Sequence, residues 1–260
     1  MQTIHQQLRS KSYSVPCELC NFGSLCIPKL LDNSLDSILN RKVAFNKNET
    51  VIKQGDKLSK FYIVHSGTLK SYIEHNGIQQ INGFYLPGDI VGLDAINTKT
   101  HNNSVTVLTS NTLVCELNYN ELMVLISKNH EVRDLILNLL SETIADYQKL
   151  ILCYSQKRAD EKLASFIYSY YCRYAKRGHV SHNIKLTMSR LDIANYLGLT
   201  IETVSRILTR LQELAILTVH GRYIHIADIS ALIELAGENS KVTPSQNPKG
   251  NNKINVRSTL

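Results

Sequence analysis

The chain has 260 residues, 43% of them hydrophobic, which is enough for one large domain or two modest domains. It contains no apolar run near the roughly 20 residues of a membrane helix and no apolar signal-peptide stretch, so we expect a cytoplasmic protein without a membrane partner. The formal net charge is +7, and nearly all of this excess lies between residues 156 and 222, where eleven Lys/Arg occur with five Asp/Glu. This asymmetry indicates a polyanionic partner, although a solvated basic surface explains it equally well.

The first unusual motif is a group of three cysteines, Cys17, Cys20 and Cys26, with the spacing C-x2-C-x5-C. We interpret residues 1–30 as a cysteine-rich segment that is too short to bury a core and is therefore held together by a metal ion or cluster. Six cysteines in a reducing compartment indicate ligands or core residues rather than disulfides. Thiolates select zinc or iron–sulfur clusters, and the single C-x2-C pair favours a cluster mildly while leaving zinc open.

The three thiolates need a fourth donor. The candidates are Cys115, Cys153 and Cys172. Cys115 lies in a predicted strand, where it shares a face with Leu113 and Leu117. The other two candidates lie on predicted apolar-rich helices, where a buried and inert thiol is the simpler interpretation.

Residues 31–131 have the pattern of many short strands separated by turn residues. The most specific signal is Asn76-Gly77, a tight hairpin turn that follows the strand-like run Leu69–Ile73. Short strands with regular glycine punctuation indicate an antiparallel sandwich or jelly roll. We therefore expect a β-barrel sensor domain in this region.

Residues 132–155 change from the periodicity of strands to that of a helix. No Gly or Pro occurs from Val132 to Tyr154, and apolar residues recur in steps of three and four. These seam residues are Leu137, Leu140, Ile144, Tyr147, Ile151 and Tyr154. Such a heptad seam predicts a helix about 35 Å long that pairs with a second copy in a parallel homodimer. The alternative is a helix that packs on its own domain.

Residues 156–238 are predicted to form a winged helix-turn-helix domain. The residues at the required spacing are Ala194, Gly198, Val204 and Ile207. The two small residues permit a close turn, and the two apolar residues anchor the second helix. Thr200 can cap that helix, and the run 221–226 predicts the wing hairpin. Residues 239–260 are rich in Asn, Ser, Pro and Lys, so we expect a disordered tail.

The second helix of this motif carries a candidate DNA-reading face. Glu202, Ser205 and Arg206 stand at i, i+3 and i+4 and therefore share one side of the helix. Near the start of a recognition helix such side chains reach base edges, Glu accepting from cytosine and Arg binding guanine. The candidate phosphate contacts are Thr203, Arg190, Arg210 and Arg222. The alternative for Glu202 and Arg206 is an ordinary exposed ion pair.

Several stretches of the chain resemble the FNR branch of the cyclic-AMP-receptor-like (CRP/FNR) transcription factors. They are Pro16–Cys20 with Leu25–Pro28, Gly83–Ile96, Leu113–Glu116 and Leu186–Arg206. The similarity extends from about Cys17 to Gly237. The expected fold is α+β, with a cyclic-nucleotide-binding-like β jelly roll, a long dimerisation helix and a C-terminal winged helix-turn-helix.

The resemblance also implies a cofactor and a DNA target. The ligands that it implies for an oxygen-labile [4Fe–4S] cluster are Cys17, Cys20, Cys26 and Cys115. It implies that Glu202, Ser205 and Arg206 read palindromic double-stranded DNA with half-sites of the TTGAT type. In this family the intact cluster favours the DNA-binding homodimer and oxygen degrades the cluster. The implied role is activation of anaerobic genes, with RNA polymerase as a partner, and repression of aerobic ones.

Two features of this chain limit which properties of the family can be expected of it. Nucleotide-binding relatives hold the cyclic phosphate with an Arg near a Gly-Glu segment, whereas here the segment is Gly88-Asp89 and no Arg occurs between Arg41 and Arg133. We therefore expect no cyclic nucleotide as a ligand. Tyr147 stands where FNR relatives carry an acid, which predicts that the cluster-free protein dimerises more readily than theirs.

We expect no enzymatic activity, because the sequence shows no nucleophile–base arrangement, phosphate-binding Gly loop or paired carboxylates. The histidines that we expect to be exposed at loops or strand ends are His65, His75, His101 and His220. The competing function is a zinc-stabilised DNA-binding or interaction protein, in which the cysteines only hold the N-terminal segment together and oxygen is not sensed.

Overall fold

The computed structural model describes residues 12–13, 42–178 and 181–238, and of residues 12–13 only the backbone. Its first domain consists of two antiparallel sheets. The strands are β1 (Ser12–Tyr13), β2 (Lys42–Phe45), β3 (Thr50–Ile52), β4 (Lys60–Ser66), β5 (Leu69–His75), β6 (Ile78–Tyr85), β7 (Ile90–Val91), β8 (Ser104–Val107) and β9 (Thr112–Asn118). One sheet has the order β1-β2-β9-β4-β7 and the other β3-β8-β5-β6. Apolar residues from both sheets form one cluster between them, so the predicted β jelly roll is confirmed.

The hairpin between β5 and β6 follows from its turn residues. Asn76 has φ +52° and Gly77 has φ +76°, both in the left-handed region that a tight two-residue turn requires. The two strands pair from Leu69 opposite Tyr85 to His75 opposite Ile78. The hairpin predicted from Asn76-Gly77 is confirmed.

Two helices cover one face of the five-stranded sheet. They are α1 (Tyr119–Lys128) and α2 (His130–Gln156). The side chain of Asn129 caps α2 by accepting hydrogen bonds from the backbone of Glu131 and Val132. The buried cluster that joins both helices to the sheet includes Phe61, Ile63, Cys115, Leu117, Leu122, Val132 and Ile136. The long helix predicted after the β domain is confirmed.

The C-terminal domain is a winged helix-turn-helix. Its elements are α3 (Ala159–Lys176), β10 (Asn183–Lys185), α4 (Arg190–Leu197), α5 (Ile201–Glu213), β11 (Leu217–His220), β12 (Tyr223–Ile226) and α6 (Ile229–Ala236). The strands form a sheet of order β10-β12-β11, and the turn at residues 221–222 joins the two wing strands. Within the described ranges, no helix combines the length and apolar character needed to cross a bilayer.

The two domains share an apolar core. The ring of Phe84, on β6, lies 5.1 Å from the ring of Tyr196 on α4 and 6.0 Å from that of Phe166 on α3. Ile81 and Leu86 belong to the same buried cluster as these rings. The C-terminal domain is therefore packed on β6 as well as connected through α2.

Directional polar contacts fix α4 against the β domain. Lys70 Nζ donates to Asp192 Oδ1 at 2.6 Å. The amide of Asn195 accepts from the backbone N–H of Ile81 at 2.6 Å and donates to the carbonyl of Gln79 at 2.8 Å. Because these bonds are directional, they set the orientation of the helix-turn-helix relative to β6.

Asp89 connects the β domain to α3 through two arginines. Its carboxylate accepts a 2.5 Å hydrogen bond from Arg173 and a further bond from Arg177. The Arg177 side chain is only 9% exposed, so this charge is largely removed from water. Charge-assisted bonds of this kind are about twice as strong as neutral ones.

Replacement of Asp89 by Asn should weaken the domain contact. Two guanidinium groups would lose their anion, one of them nearly buried, so we expect the free energy of unfolding to fall by about 2–3 kcal/mol. The matched control is Asp134→Asn, since Asp134 lies 3.5 Å from Arg133 in an exposed pair worth less than about 1 kcal/mol. Urea denaturation of both variants measures this, and equal losses would contradict the assignment.

Candidate nucleic-acid interface and cysteine site

The turn of the helix-turn-helix is formed by local sequence. Ser189 caps α4 by accepting from the backbone N–H of Asp192 at 3.0 Å, and Gly198 ends the helix with φ +63°. A Cβ on Gly198 would lie 3.4 Å from the ring of Tyr154, so glycine permits both the turn and the close approach of α2. Ala194 is 2% exposed where the helices meet, as predicted.

Helix α5 has the burial pattern of a recognition helix. Thr200 caps its start by accepting from the backbone N–H of Thr203 at 3.2 Å, which confirms the predicted cap. Val204 and Ile207 are buried beneath the helix, as the sequence predicted. The opposite side of α5, which carries Glu202 and Arg206, is exposed.

Glu202 and Arg206 both lie exposed near the start of α5. Hydrogen bonds from its own backbone N–H and from the Thr200 hydroxyl lower the pKa of Glu202, so this carboxylate is an ionised acceptor at neutral pH. An anion and a cation one helical turn apart can therefore each meet a base edge of matching polarity.

The other candidate DNA contacts have partners within the chain. Ser205, half-buried, accepts a 3.2 Å hydrogen bond from Arg190, which brings those two predicted residues together. Arg210 lies 3.7 Å from Asp160 in a loose ion pair. Arg222 donates to the carbonyl of Thr187 at 3.1 Å and thus fixes the wing to the strand region before α4.

The predicted seam of α2 divides into two rows. Leu137, Ile144 and Ile151, spaced by seven residues, are 57%, 58% and 66% exposed. Seven residues are two helical turns, so these three side chains form one apolar stripe along the helix. In the single chain, this stripe is the part of the predicted seam that is exposed to solvent.

The second row of the seam contacts its own chain. Leu140 packs against the cluster that contains Cys115. Tyr147 is still 38% exposed, and partial burial together with the nearby Asp94 carboxylate of the β domain raises the pKa of its hydroxyl. Tyr154 donates a hydrogen bond to the carbonyl of Tyr196 on α4. The alternative interpretation, a helix that packs on its own domain, therefore holds for this row, and pairing through the exposed stripe stays a prediction.

Cys115 lies on β9 and is 6% exposed. In the sheet it is paired with Lys42 of β2 on one side and with Ile63 of β4 on the other, so the three side chains share a face. The same face packs against Val132 of α2. Three of the four candidate ligands, Cys17, Cys20 and Cys26, lie outside the described residues. Within the part of the chain that the structure describes, no three Cys, His, Asp or Glu side chains converge on one point.

The chain on either side of residues 14–41, which contain Cys17, Cys20 and Cys26, meets at this same edge of the sheet. Tyr13 of β1 pairs with Lys42 of β2, and Lys42 in turn pairs with Cys115. Cys17 is four residues beyond Tyr13, which is a covalent reach of about 14 Å at most. Tyr13 and Lys42, which flank residues 14–41, are thus adjacent, with Lys42 beside Cys115 and Tyr13 one strand further out.

The other two cysteines lie in different surroundings. Cys153, on α2, is buried, and Cys172, on α3, is half-buried. Burial raises the pKa of both thiols, so neither is activated as a thiolate. Their interpretation as inert core thiols is consistent with these positions.

Several residues differ from the sequence-based expectation. His101 is 5% exposed and lies 3.5 Å from Asp94, so its predicted solvent exposure is wrong. His65 is half-buried, with a buried Nδ1. Lys42 is fully buried, and no local sequence pattern predicted this, because lysine side chains are almost never fully buried unless they are paired. The predicted tail, residues 239–260, lies outside the described residues.

Comparison with known proteins identifies both domains. A cyclic nucleotide-binding domain matches residues 42–129, and a Crp-like helix-turn-helix domain matches residues 161–235. The chain is 41% identical to the anaerobic regulatory protein of Haemophilus influenzae, over 92% of this chain and 95% of that protein. It is also 41% identical to the fumarate and nitrate reduction regulatory protein of Escherichia coli K12, over 92% and 97%. The solved structure of FixK2 from Bradyrhizobium japonicum superposes with a TM-score of 0.69 at 27% identity, covering 77% of this chain and 98% of that one.

Proposed function

Because the chain belongs to the FNR group of Crp-like DNA-binding transcription regulators, we propose that it is an oxygen-responsive homodimer that controls anaerobic genes. The names of its relatives point to regulation of anaerobic growth and of fumarate and nitrate reduction. The chain is a regulator and not an enzyme. Activation at a promoter would also need RNA polymerase as a partner.

The observation that carries the oxygen-sensing proposal is the geometry at Cys115. Tyr13 and Lys42 flank residues 14–41, which carry the three clustered cysteines. Lys42 is paired with Cys115, and Tyr13 is paired with Lys42 one strand further out. Three thiolates from that segment and one from β9 are a soft donor set that suits an iron–sulfur cluster. The proposed ligands are Cys17, Cys20, Cys26 and Cys115. When bound, a [4Fe–4S] cluster would supply an oxygen-labile redox centre at this edge of the sheet.

The residues around Cys115 connect this edge to the dimer helix. Val132 and Ile136, in the first turns of α2, are buried in the same cluster as Cys115. Leu140, one turn further on, packs against that cluster. A change in the packing at Cys115 therefore acts directly on the start of the helix that carries the exposed stripe.

Pairing of two stripes would place two α5 helices side by side on DNA. In dimeric helix-turn-helix proteins the two recognition helices lie about 34 Å apart, one turn of the double helix. Glu202, Ser205 and Arg206 would then read two half-sites of the TTGAT type in a palindrome. Phosphate contacts from the basic C-terminal domain would make the affinity strongly dependent on salt.

Replacement of Arg206 by Ala should reduce binding to a palindromic TTGAT-type duplex by about 10- to 100-fold, since a bidentate base contact is worth about 1–3 kcal/mol. On a duplex in which the guanine expected to contact Arg206 is replaced, the variant should lose less affinity, because the wild-type protein lacks that contact there too. Fluorescence anisotropy with both duplexes measures this. Lys149→Ala, an exposed change on α2, is the control. Equal loss on both duplexes would assign Arg206 to the phosphates.

Replacement of Cys115 by Ser should abolish the visible absorbance and the bound iron of anaerobically purified protein. The hydroxyl is a poor ligand for a cluster that four thiolates hold. Cys153→Ser and Cys172→Ser are the matched controls and should keep both signals, because these thiols lie on α2 and α3 and not on β9 with Cys115. A colourless, zinc-loaded wild type would favour the zinc-stabilised alternative.

Replacement of Ile144 by Glu should weaken self-association of the cluster-loaded protein by more than about tenfold, because a charge would be buried at the centre of the paired stripe. Lys149→Glu introduces the same side chain on the same helix outside the stripe. Analytical ultracentrifugation under anaerobic conditions compares the two variants. An Ile144→Glu protein that remains dimeric would exclude this stripe as the interface.

The same method, applied to the cluster-free wild type, tests whether Tyr147 favours dimerisation.

A further inference from the structure

Lys42 and His65 present an unusual pair of polar atoms next to Cys115. Among the residues that the structure describes, Lys42 Nζ and His65 Nδ1 are the buried side-chain polar atoms without a hydrogen-bond partner. Lys42 is 0% exposed. Taking an ammonium group out of water without a partner costs several kcal/mol. An anion is therefore expected to meet Lys42 in the functional protein.

The position of Lys42 relative to Cys115 follows from the strand register. The two residues are direct partners between β2 and β9, so their side chains lie on the same face with Cβ atoms about 5 Å apart. Burial lowers the pKa of His65 and the Lys42 ammonium lowers it further, so the two groups lie within electrostatic reach of each other and the neutral imidazole is favoured. Lys42 thus lies on the strand on one side of Cys115, and His65 lies on β4, the strand on the other side.

The acidic residue that follows Cys115 in the strand does not serve as the partner of Lys42. Glu116 is bonded to Lys60 Nζ at 2.7 Å. Successive residues of a strand point to opposite faces, so the Glu116 carboxylate lies on the other side of the sheet from Cys115. The charge that Lys42 faces must come from something held on the Cys115 side.

We propose that Lys42 is a positioning residue whose ammonium group offsets the negative charge of the thiolate-bound cluster at Cys115. This inference rests on the proposed function, because it requires a cluster at that cysteine. An iron–sulfur cluster held by four thiolates is an anion, and nearby charges and hydrogen bonds to its sulfur atoms tune it. Lys42 would thus favour retention of the cluster while making no bond to iron.

The proposal predicts opposite effects in the two forms of the protein. Lys42→Met keeps the length of the side chain and removes the charge. In the cluster-free form it removes an uncompensated buried charge, so the urea midpoint should rise. In the cluster-loaded form it removes the compensating cation, so a chelator should extract iron about tenfold faster under anaerobic conditions, as for other residues around metal ligands.

The experiment follows absorbance and iron release from anaerobic full-length protein, together with urea denaturation of the cluster-free form. Lys47→Met, an exposed lysine just after β2, is the matched control and should change neither measurement. Lys42→Arg, which keeps the charge, should release iron near the wild-type rate. Lys42→Gln, a second neutral variant, should release it as fast as Lys42→Met, and it decides the question if the Met variant does not fold.

The outcomes separate this proposal from the one on which it depends. A wild type without iron would overturn the proposed function and the role of Lys42 with it. Iron-loaded wild type with unchanged release from the neutral variants would overturn the role of Lys42 alone. A lower urea midpoint of the cluster-free Lys42→Met protein would also overturn it, because the ammonium would then have a partner in the chain itself.

Discussion

The pairing of β2 with β9 is the constraint on which the candidate sensor site depends. It places Lys42 opposite Cys115, and through Lys42 it places Tyr13 one strand further out. Residues 14–41 therefore begin and end at a single sheet edge, although Cys17 and Cys115 are far apart in the sequence. Backbone hydrogen bonds hold this arrangement, so the position of Cys115 relative to both ends of the cysteine segment does not depend on a bound cofactor.

Helix α2 connects this edge to the DNA-reading domain. Its first turns are buried with Cys115, and near its other end Tyr154 is bonded to Tyr196 and packs against Gly198 in the helix-turn-helix. A 27-residue helix spans about 40 Å. One rigid element thus contacts the proposed sensor site, carries the exposed stripe and touches the turn between α4 and α5. Any change at one end has a continuous packed path to the other.

Asp89, in the Gly88-Asp89 segment of the β domain, makes ion pairs within its own chain. The carboxylate of Asp89 is bonded to Arg173 and Arg177 from the same chain. These guanidinium groups connect the β domain to α3, so electrostatic pairing inside the chain contributes to domain packing at this position. That no cyclic nucleotide binds stays a prediction, and the ion pairs at Asp89 are consistent with it.

Local signals in the sequence determined the elements of this protein. Asn76-Gly77 predicted the hairpin, and Gly198 with Thr200 predicted the turn and the cap of the recognition helix, because a few neighbouring residues decide backbone conformation there. Only the tertiary structure decided which row of the α2 seam contacts its own chain and that His101 and Lys42 are buried. Those outcomes depend on contacts between residues distant in sequence. Strand register and domain packing, which no local pattern contains, bring such residues together.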